Sequence, residues 1–459
     1  MCKRSWGSIS CACMKPYGAD NRPRPCPRPR PRTGTRRLNP VIVLGAGVAG
    51  VLTAYHLSRR GHRVLVVDSA AAPAQGCSHG NAGIIALGHA QAWAGPSAPK
   101  AMALALLGLN PALRISTLRD PALWRWGLHF LANCTRGAHA RNSGKLLKLS
   151  SYSASLLREI EEREEIDYDQ RHNGALYLFK NRRQYEERTA RIRDDPAASD
   201  MFQLLGVDEL LSLEPALRGM ADLLVGGLLS KKDSSGDCHR FTSRLAQTLI
   251  ADASAGFRFD CTVTNLLLRD GRIVEVETTG GSLPCGAVVV AAGTGTPSIM
   301  RKVGISPLIY PVKGYAATYP IIRPDAVPEF PAVDETDLVA FSRFGNQLRL
   351  TGIAELAGGD AGLRKDRAAA LDAYAARVFG SAVDIGNARH WAGLRPSTPS
   401  SPPYLGKVRG FENLWINAGH GQLGWTMAAG AGRILADLME NRMPEVSGVS
   451  ARANWLETF

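Results

Sequence analysis

Two glycine triplets of identical spacing stand at opposite ends of the chain, Gly45-x-Gly47-x-x-Gly50 and Gly419-x-Gly421-x-x-Gly424. The first lies within "PVIVLGAGVAGVLTAYHLSRRGHRVLVVD", residues 40–68. Val41–Leu44 reads as a short buried strand, and helical periodicity then runs through Val51, Ala54, Tyr55 and Leu57 to a closing Gly61. A second apolar strand ends at Asp68, 18 residues after Gly50. Such a unit cradles a pyrophosphate. Gly45 permits the tight turn, Gly47 lets the backbone approach the phosphates, and Gly50 lets the helix pack closely on the strand. The backbone around Ala46 and Val48, at the positive end of the helix dipole, faces the anion. Asp68 is spaced to accept a hydrogen bond from a ribose hydroxyl, and its charge disfavours a 2′-phosphate. The chemistry is dinucleotide binding, with FAD and NAD both open on this motif alone.

The elements around the triplets are less regular than a repeated strand–helix alternation. A glycine-rich loop, "QGCSHGNAGIIALG" (75–88), is followed by segments rich in Trp and Leu. Residues 146–168 predict an amphipathic helix with an acidic outer face, and 236–256 a helix closed by Gly256. Short strands follow, with a hairpin turn at Asp270-Gly271. "CGAVVVAAGTGT" (285–296) is a buried strand ending in small residues, Ala292 and Gly293 among them, that admit a close neighbour. Strands are expected over 305–355 and a helix over 361–379. The predicted fold class is α/β (α+β): a Rossmann-like dinucleotide domain with an inserted, discontinuous substrate domain on a mixed or antiparallel sheet. The expected boundaries are 40–95, 233–300 and 401–446 for the first, and 96–232 and 301–400 for the second.

Composition sets the outer limits. The 459 residues are 45% hydrophobic and 21% charged, ordinary for a globular protein. Nine of the net +14 charges belong to residues 1–39, a basic Pro/Arg-rich extension expected to be disordered and read as an extended or misassigned start. Nucleic acid is not an expected partner on that charge run alone. Arg36-Arg37 mimics an export signal, but the apolar run behind it belongs to the dinucleotide unit. Nine cysteines without CxxC pairs predict free thiols and no metal site. The apolar stretch 101–109 is too short to span a bilayer.

Further segments occur in a telling order: "GNAG" (80–83), "SGDCHRFTSRLA" (235–246), "YPVKGY" (310–315), "WAGLRPSTP" (391–399) and "NLWINAGHGQLGWTMAAG" (413–430). With the first triplet they resemble the FAD-dependent D-amino acid dehydrogenases, in the D-amino acid oxidase and glycine oxidase superfamily, over essentially all of 40–446. The resemblance implies FAD as cofactor, with the second triplet beside the isoalloxazine ring. Gly419, His420, Gly421, Leu423 and Gly424 would form that turn, and the helix starting near Trp425–Thr426 would aim its positive end at the pyrimidine side. Asn81, Ala82 and Gly83 would pass close to the flavin, and the backbone of Val263 would meet the adenine. Arg395 would hold the substrate carboxylate bidentately, the other reading being a structural ion pair. His420 is either the titratable group of the reaction or a residue that fixes the turn. Tyr310, Lys313 and Tyr315 line the substrate pocket, or pack in the core.

The implied reaction is oxidative deamination of a D-amino acid, D-alanine by default, to a 2-oxo acid and ammonia. Electrons would pass to a quinone or another acceptor. The alternatives are a D-proline or cis-4-hydroxy-D-proline dehydrogenase, and a non-catalytic FAD-binding electron-transfer subunit. The expected location is cytoplasmic, with peripheral contact to the inner membrane through 101–131, unless Trp124 and Trp126 belong to core helices. Relatives commonly carry Asp-Gly where this chain has Ser400-Ser401, which leaves substrate preference open.

Overall fold

The computed structural model describes residues 39–446 except Pro111, so the basic extension expected over 1–39 lies, but for Asn39, outside the described residues. Among the described residues a six-stranded sheet forms around the first glycine triplet. β1 (Val41–Leu44) leads through α1 (Val48–Ser58) to β2 (Val64–Val67), which pairs parallel with β1. Ala255–Arg258 extends the sheet beyond β2, and Ala287–Val290 and Leu414–Ala418 extend it on the other side of β1, all parallel. Tyr404–Lys407 closes that edge antiparallel. Every residue of β1 is buried, as a parallel strand covered on both faces requires. One face packs α1 against Leu245, Leu249, Met427 and Ile434; the other buries Ile42 and Val290 against Ile273 and Val276 of a three-stranded sheet.

The order of the strands decides where a ligand fits. The chain runs from β1 outward to β2, then returns to the opposite side of β1 with Ala287–Val290. Loops leaving the carboxyl ends of these two neighbours diverge and open a crevice between them.

The second sheet is nine-stranded and mixed, as the sequence predicts. Its functional edge is built from β3 (Tyr310–Pro320), β4 (Gln347–Leu356) and β5 (Arg389–Ser397), with β3 in the middle. The helix Lys365–Phe379 covers one face, burying Leu371 and Tyr374 against Ala317, Tyr319, Leu348 and Leu350. The β3–β4 ladder slips between Gly314 and Tyr315, leaving Ile353 as an extra residue on β4. Ile353 sits at φ 59, a left-handed conformation rare for a β-branched side chain.

Helix boundaries differ from expectation, and the helix expected from 361 begins at Lys365. The helix placed at 236–256 is Cys238–Ala251, capped by Asp237; the chain turns through Ala253 at φ 55, and Gly256 lies in the sheet-edge strand. Edge pairing with β2 overrides the glycine's value as a helix stop. The acidic helix begins at Arg136 rather than 146, where Thr135 Oγ1 accepts from Ala138 N at 3.3 Å. Its first turns are polar, so hydrophobic periodicity did not mark them.

Candidate active site

A cavity of about 610 Å³ runs along the carboxyl ends of the parallel strands. Gly45, Gly47 and Val48 wall it at the end of β1, and Ala292 and Gly293 follow Ala287–Val290 on the neighbouring side. Asp68, just past β2, organises the turn: its Oδ2 accepts from Ala46 N at 2.6 Å and its Oδ1 from Ala70 N at 2.8 Å. A carboxylate has about four acceptor sites, so lone pairs remain for a ribose hydroxyl. Gly47, at the N-cap of α1, has no side chain, and Ser78 Oγ accepts from Val48 N at 3.1 Å beside it. Val263 lines the same cavity. So does Asn417, fully buried, whose Nδ2 donates to Thr53 Oγ1 at 2.9 Å and whose Oδ1 has no protein partner.

The second triplet turns the chain from Leu414–Ala418 into α2 (Gly424–Met439). Gly419 and Gly421 adopt φ 87 and 54, so this reversal needs residues free of a Cβ penalty. No side chain caps α2, and its first turn is held to the loop at 81–86. Trp425 Nε1 donates to Gly83 O at 3.3 Å, and Thr426 Oγ1 accepts from Ala86 N at 3.2 Å.

A second cavity, about 440 Å³, lies against β3, β4 and β5. Cys77, Asn81, Arg395, His420 and Gly421 line both cavities and mark their junction. Among the described residues no carboxylate lies within ion-pair distance of Arg395. Its guanidinium donates to Ile353 O at 3.5 Å, the long limit of such a contact. Burial pulls the guanidinium below its ordinary pKa. The second cavity contains no Asp, Glu or Lys among its described lining residues. His420 is buried with Nε2 unpartnered, and desolvation lowers its pKa to about 4, so the imidazole is neutral at pH 7. Burial raises the Cys77 thiol against the pull of Arg395.

The residues singled out by sequence separate into groups. Gly45, Gly47, Val48, Asp68, Val263, Ala292, Gly293, Gly424 and Trp425 line the first cavity, while Ala82, Tyr315, Leu423 and Thr426 line the second. Ala46, Gly50, Gly83 and Gly419 support the walls from behind: Gly50 packs on Gly45 O, and Gly419 faces Thr398. Two substrate candidates point elsewhere. Lys313 lies on the opposite face of β3 from Val312 and Gly314, and its buried Nζ reaches Asp360 Oδ2 at 2.8 Å. Tyr310 packs on Trp126 and donates to Asp120 Oδ2 at 3.0 Å. Tyr315 touches the cavity wall, but its ring packs in the core with Ala317 and Tyr319, and its hydroxyl donates to Glu355, which is outside the cavity lining. Trp391, Gly314, Gly393 and Ile353 were not named, although three of them stand inside the quoted segments "YPVKGY" and "WAGLRPSTP". Ser401 holds φ 83, a conformation that favours glycine, and its Oγ accepts from Trp93 N at 2.9 Å.

The FAD implied by the resemblance fits this donor set. The start of α1 at Gly47 lines the first cavity, the start of α2 carries no side-chain cap, and Asn417 Oδ1 and His420 Nε2 are buried polar atoms without a protein partner. Comparison with known proteins agrees. Residues 40–438 match the family described as FAD dependent oxidoreductase. A D-amino acid dehydrogenase of Cereibacter sphaeroides is 40% identical over 407 residues, covering 88% of this chain and 93% of the relative. One from Chromohalobacter salexigens is 38% identical over 409 residues, covering 89% and 97%. In fold, the glycine oxidase of Bacillus cereus superposes with a TM-score of 0.66 at 19% identity, covering 88% of this chain and 95% of that one. On these matches the chain belongs to the FAD-dependent oxidoreductases of the D-amino acid oxidase family.

Proposed function

We propose that the protein oxidises a D-amino acid to the imino acid, which water hydrolyses to a 2-oxo acid and ammonia. The observation that carries this reading is Arg395, a half-buried cation with no carboxylate within ion-pair distance among the described residues, at the junction of the two cavities. The names of relatives sharing about 40% of the sequence support the D configuration. The segments 40–95, 233–300 and 401–446 hold the cofactor, and 96–232 with 301–400 shape the substrate space.

Arg395 forks two N–H donors onto the carboxylate and so fixes the α-carbon toward the turn at Gly419–Gly424. The lining has no carboxylate to stabilise an ammonium, and the Arg395 charge opposes one, so the amine is held neutral. His420, neutral and buried, offers a hydrogen bond rather than a charge. FAD, when bound, supplies the acceptor for the hydride, and its electrons leave to a quinone or another acceptor. In the absence of oxygen, D-amino acids are expected to bleach the yellow holoenzyme within seconds to minutes while their L-isomers leave it unchanged. A holoenzyme bleached by neither isomer refutes the reaction.

Peripheral membrane contact fits a quinone acceptor. No helix among the described residues is long and apolar enough to cross a membrane. Leu107, Leu109 and Leu128 are instead exposed at 71%, 68% and 69%, beside exposed Trp124. Leu107 and Leu109 follow the helix Ala98–Leu106 and Leu128 lies on Pro121–Ala132, two helices that share a small core including Met102, Leu123 and Trp126, with Lys100, Arg119 and Arg125 exposed on the same segments. Apolar residues with nearby cations suit an anionic bilayer surface. Wild-type protein should float with phosphatidylglycerol vesicles, and the Leu107→Asp/Leu109→Asp variant should bind at least tenfold more weakly. Equal flotation of both would remove this face from consideration.

A further inference from the structure

The space beside Arg395 is shaped by a single cross-strand pair. Gly314 of β3 and Gly393 of β5 face each other in the ladder, so no side chain rises from the cavity floor there. Alternation along β5 puts Trp391, Gly393 and Arg395 on one face, and all three line the second cavity. Arg395 folds inward over Gly314, where a Cβ would stand 2.4 Å from its Cζ. Trp391 folds inward from the other end, since a Cβ on Gly393 would stand 1.9 Å from its Cη2. Guanidinium and indole therefore overlie the two members of one pair, whose Cα atoms lie about 5 Å apart in such ladders. The ring is backed on another side by the loop before Asn81, because a Cβ on Gly80 would meet its Cε3 at 2.5 Å.

We propose that Trp391 is the specificity-determining wall that receives the substrate side chain, and that this side chain is apolar and larger than a methyl group. The proposal rests on the D-amino acid reading above. Because the guanidinium and the indole cover the two glycines side by side, a carboxylate on Arg395 leaves the α-carbon beside the indole. Val312, Leu338 and Ile353 continue the wall. A second substrate carboxylate would compete for Arg395, and a substrate ammonium would find no described counter-charge; either carries a desolvation cost. A methyl group leaves the indole in contact with water. Each methylene buried against such a wall is expected to raise kred/Kd about fourfold.

The test is anaerobic rapid mixing of the holoenzyme with D-alanine, D-leucine, D-phenylalanine, D-aspartate or D-lysine, read as flavin bleaching. D-Leucine and D-phenylalanine should exceed D-alanine at least tenfold in kred/Kd, and exceed D-aspartate and D-lysine at least a hundredfold. Trp391→Ala should reduce the preference over D-alanine at least tenfold, read as the ratio of kred/Kd for D-leucine to that for D-alanine within the same variant. Trp391→Phe, with a smaller ring in the same seat, should reduce it two- to fivefold. D-Alanine bleaching as fast as the larger substrates overturns the proposal, as does an equal slowing of all substrates in Trp391→Ala. If the alanine variant fails to hold flavin, an unchanged preference in Trp391→Phe overturns it on its own. Bleaching by none of the five overturns the D-amino acid reaction itself, whereas bleaching led by D-alanine overturns only the role of Trp391.

Discussion

Arg395→Leu is expected to abolish turnover and, with flavin still bound, to raise the melting temperature. Both effects come from one fact: among the described residues this half-buried cation, desolvated by its surroundings, has no carboxylate partner and only a 3.5 Å side-chain contact to a carbonyl. A charge desolvated without a partner costs stability, and replacing it by an apolar group of similar length relieves that cost. A gain of about 1–3 kcal/mol would move the melting temperature of a chain this size by about 1–3 °C. The same replacement removes two charge-assisted hydrogen bonds to the substrate, each contributing about 1.5–3 kcal/mol, so kcat/KM should fall about 10²–10⁴-fold. Arg395→Lys should recover little, because an ammonium does not reproduce the planar fork. Calorimetry and steady-state kinetics on the flavin-loaded variants decide the matter. A less stable Arg395→Leu that still turns over would mean that the arginine serves the fold.

Gly50→Ala should yield no folded protein, whereas Gly47→Ala should fold and purify without its yellow colour. The two glycines belong to one motif but face different obstacles. A Cβ at Gly50 would lie 1.8 Å from Gly45 O, a backbone atom that cannot rotate aside. Relief requires lifting α1 off β1, which opens a core that includes Val51, Leu52, Ala54 and Leu57. At Gly47 the nearest atom is Ser78 Oγ at 3.5 Å, an ordinary contact, and φ is −70. The added methyl there intrudes only on the cavity wall that the pyrophosphate would approach. Circular dichroism with the ratio of absorbance at about 450 nm to that at 280 nm separates the outcomes. A Gly47→Ala protein that binds FAD as tightly as wild type would place the phosphates elsewhere.

Much of the frame around the first cavity was legible in sequence because its determinants are local. A strand, a turn, a helix and a second strand follow one another between residues 40 and 68, and each glycine's task is set by neighbours a few positions away. The second triplet was equally readable, since its left-handed glycines and the helix behind them lie within about one turn of each other. The same locality explains why the expected hairpin at Asp270-Gly271 formed, with φ 48 and 76 at its two residues.

The substrate side was less legible because it depends on pairing between distant strands. Whether Lys313 or Gly314 faces the cavity is a question of strand parity, and the parity beside Tyr315 is altered by the extra residue Ile353 on β4. A sequence cannot show that Arg395 lacks an acidic neighbour, since any of the chain's many carboxylates could in principle approach it. The opposition of Gly314 and Gly393, which lets Arg395 and Trp391 lean toward each other, joins positions 79 residues apart. Local turn and helix chemistry thus determined the dinucleotide-binding frame and pointed to Arg395 through its segment. Strand register, a property of tertiary structure alone, decided which side chains share the cavity with it and which, like Lys313 and Tyr310, turn to other partners.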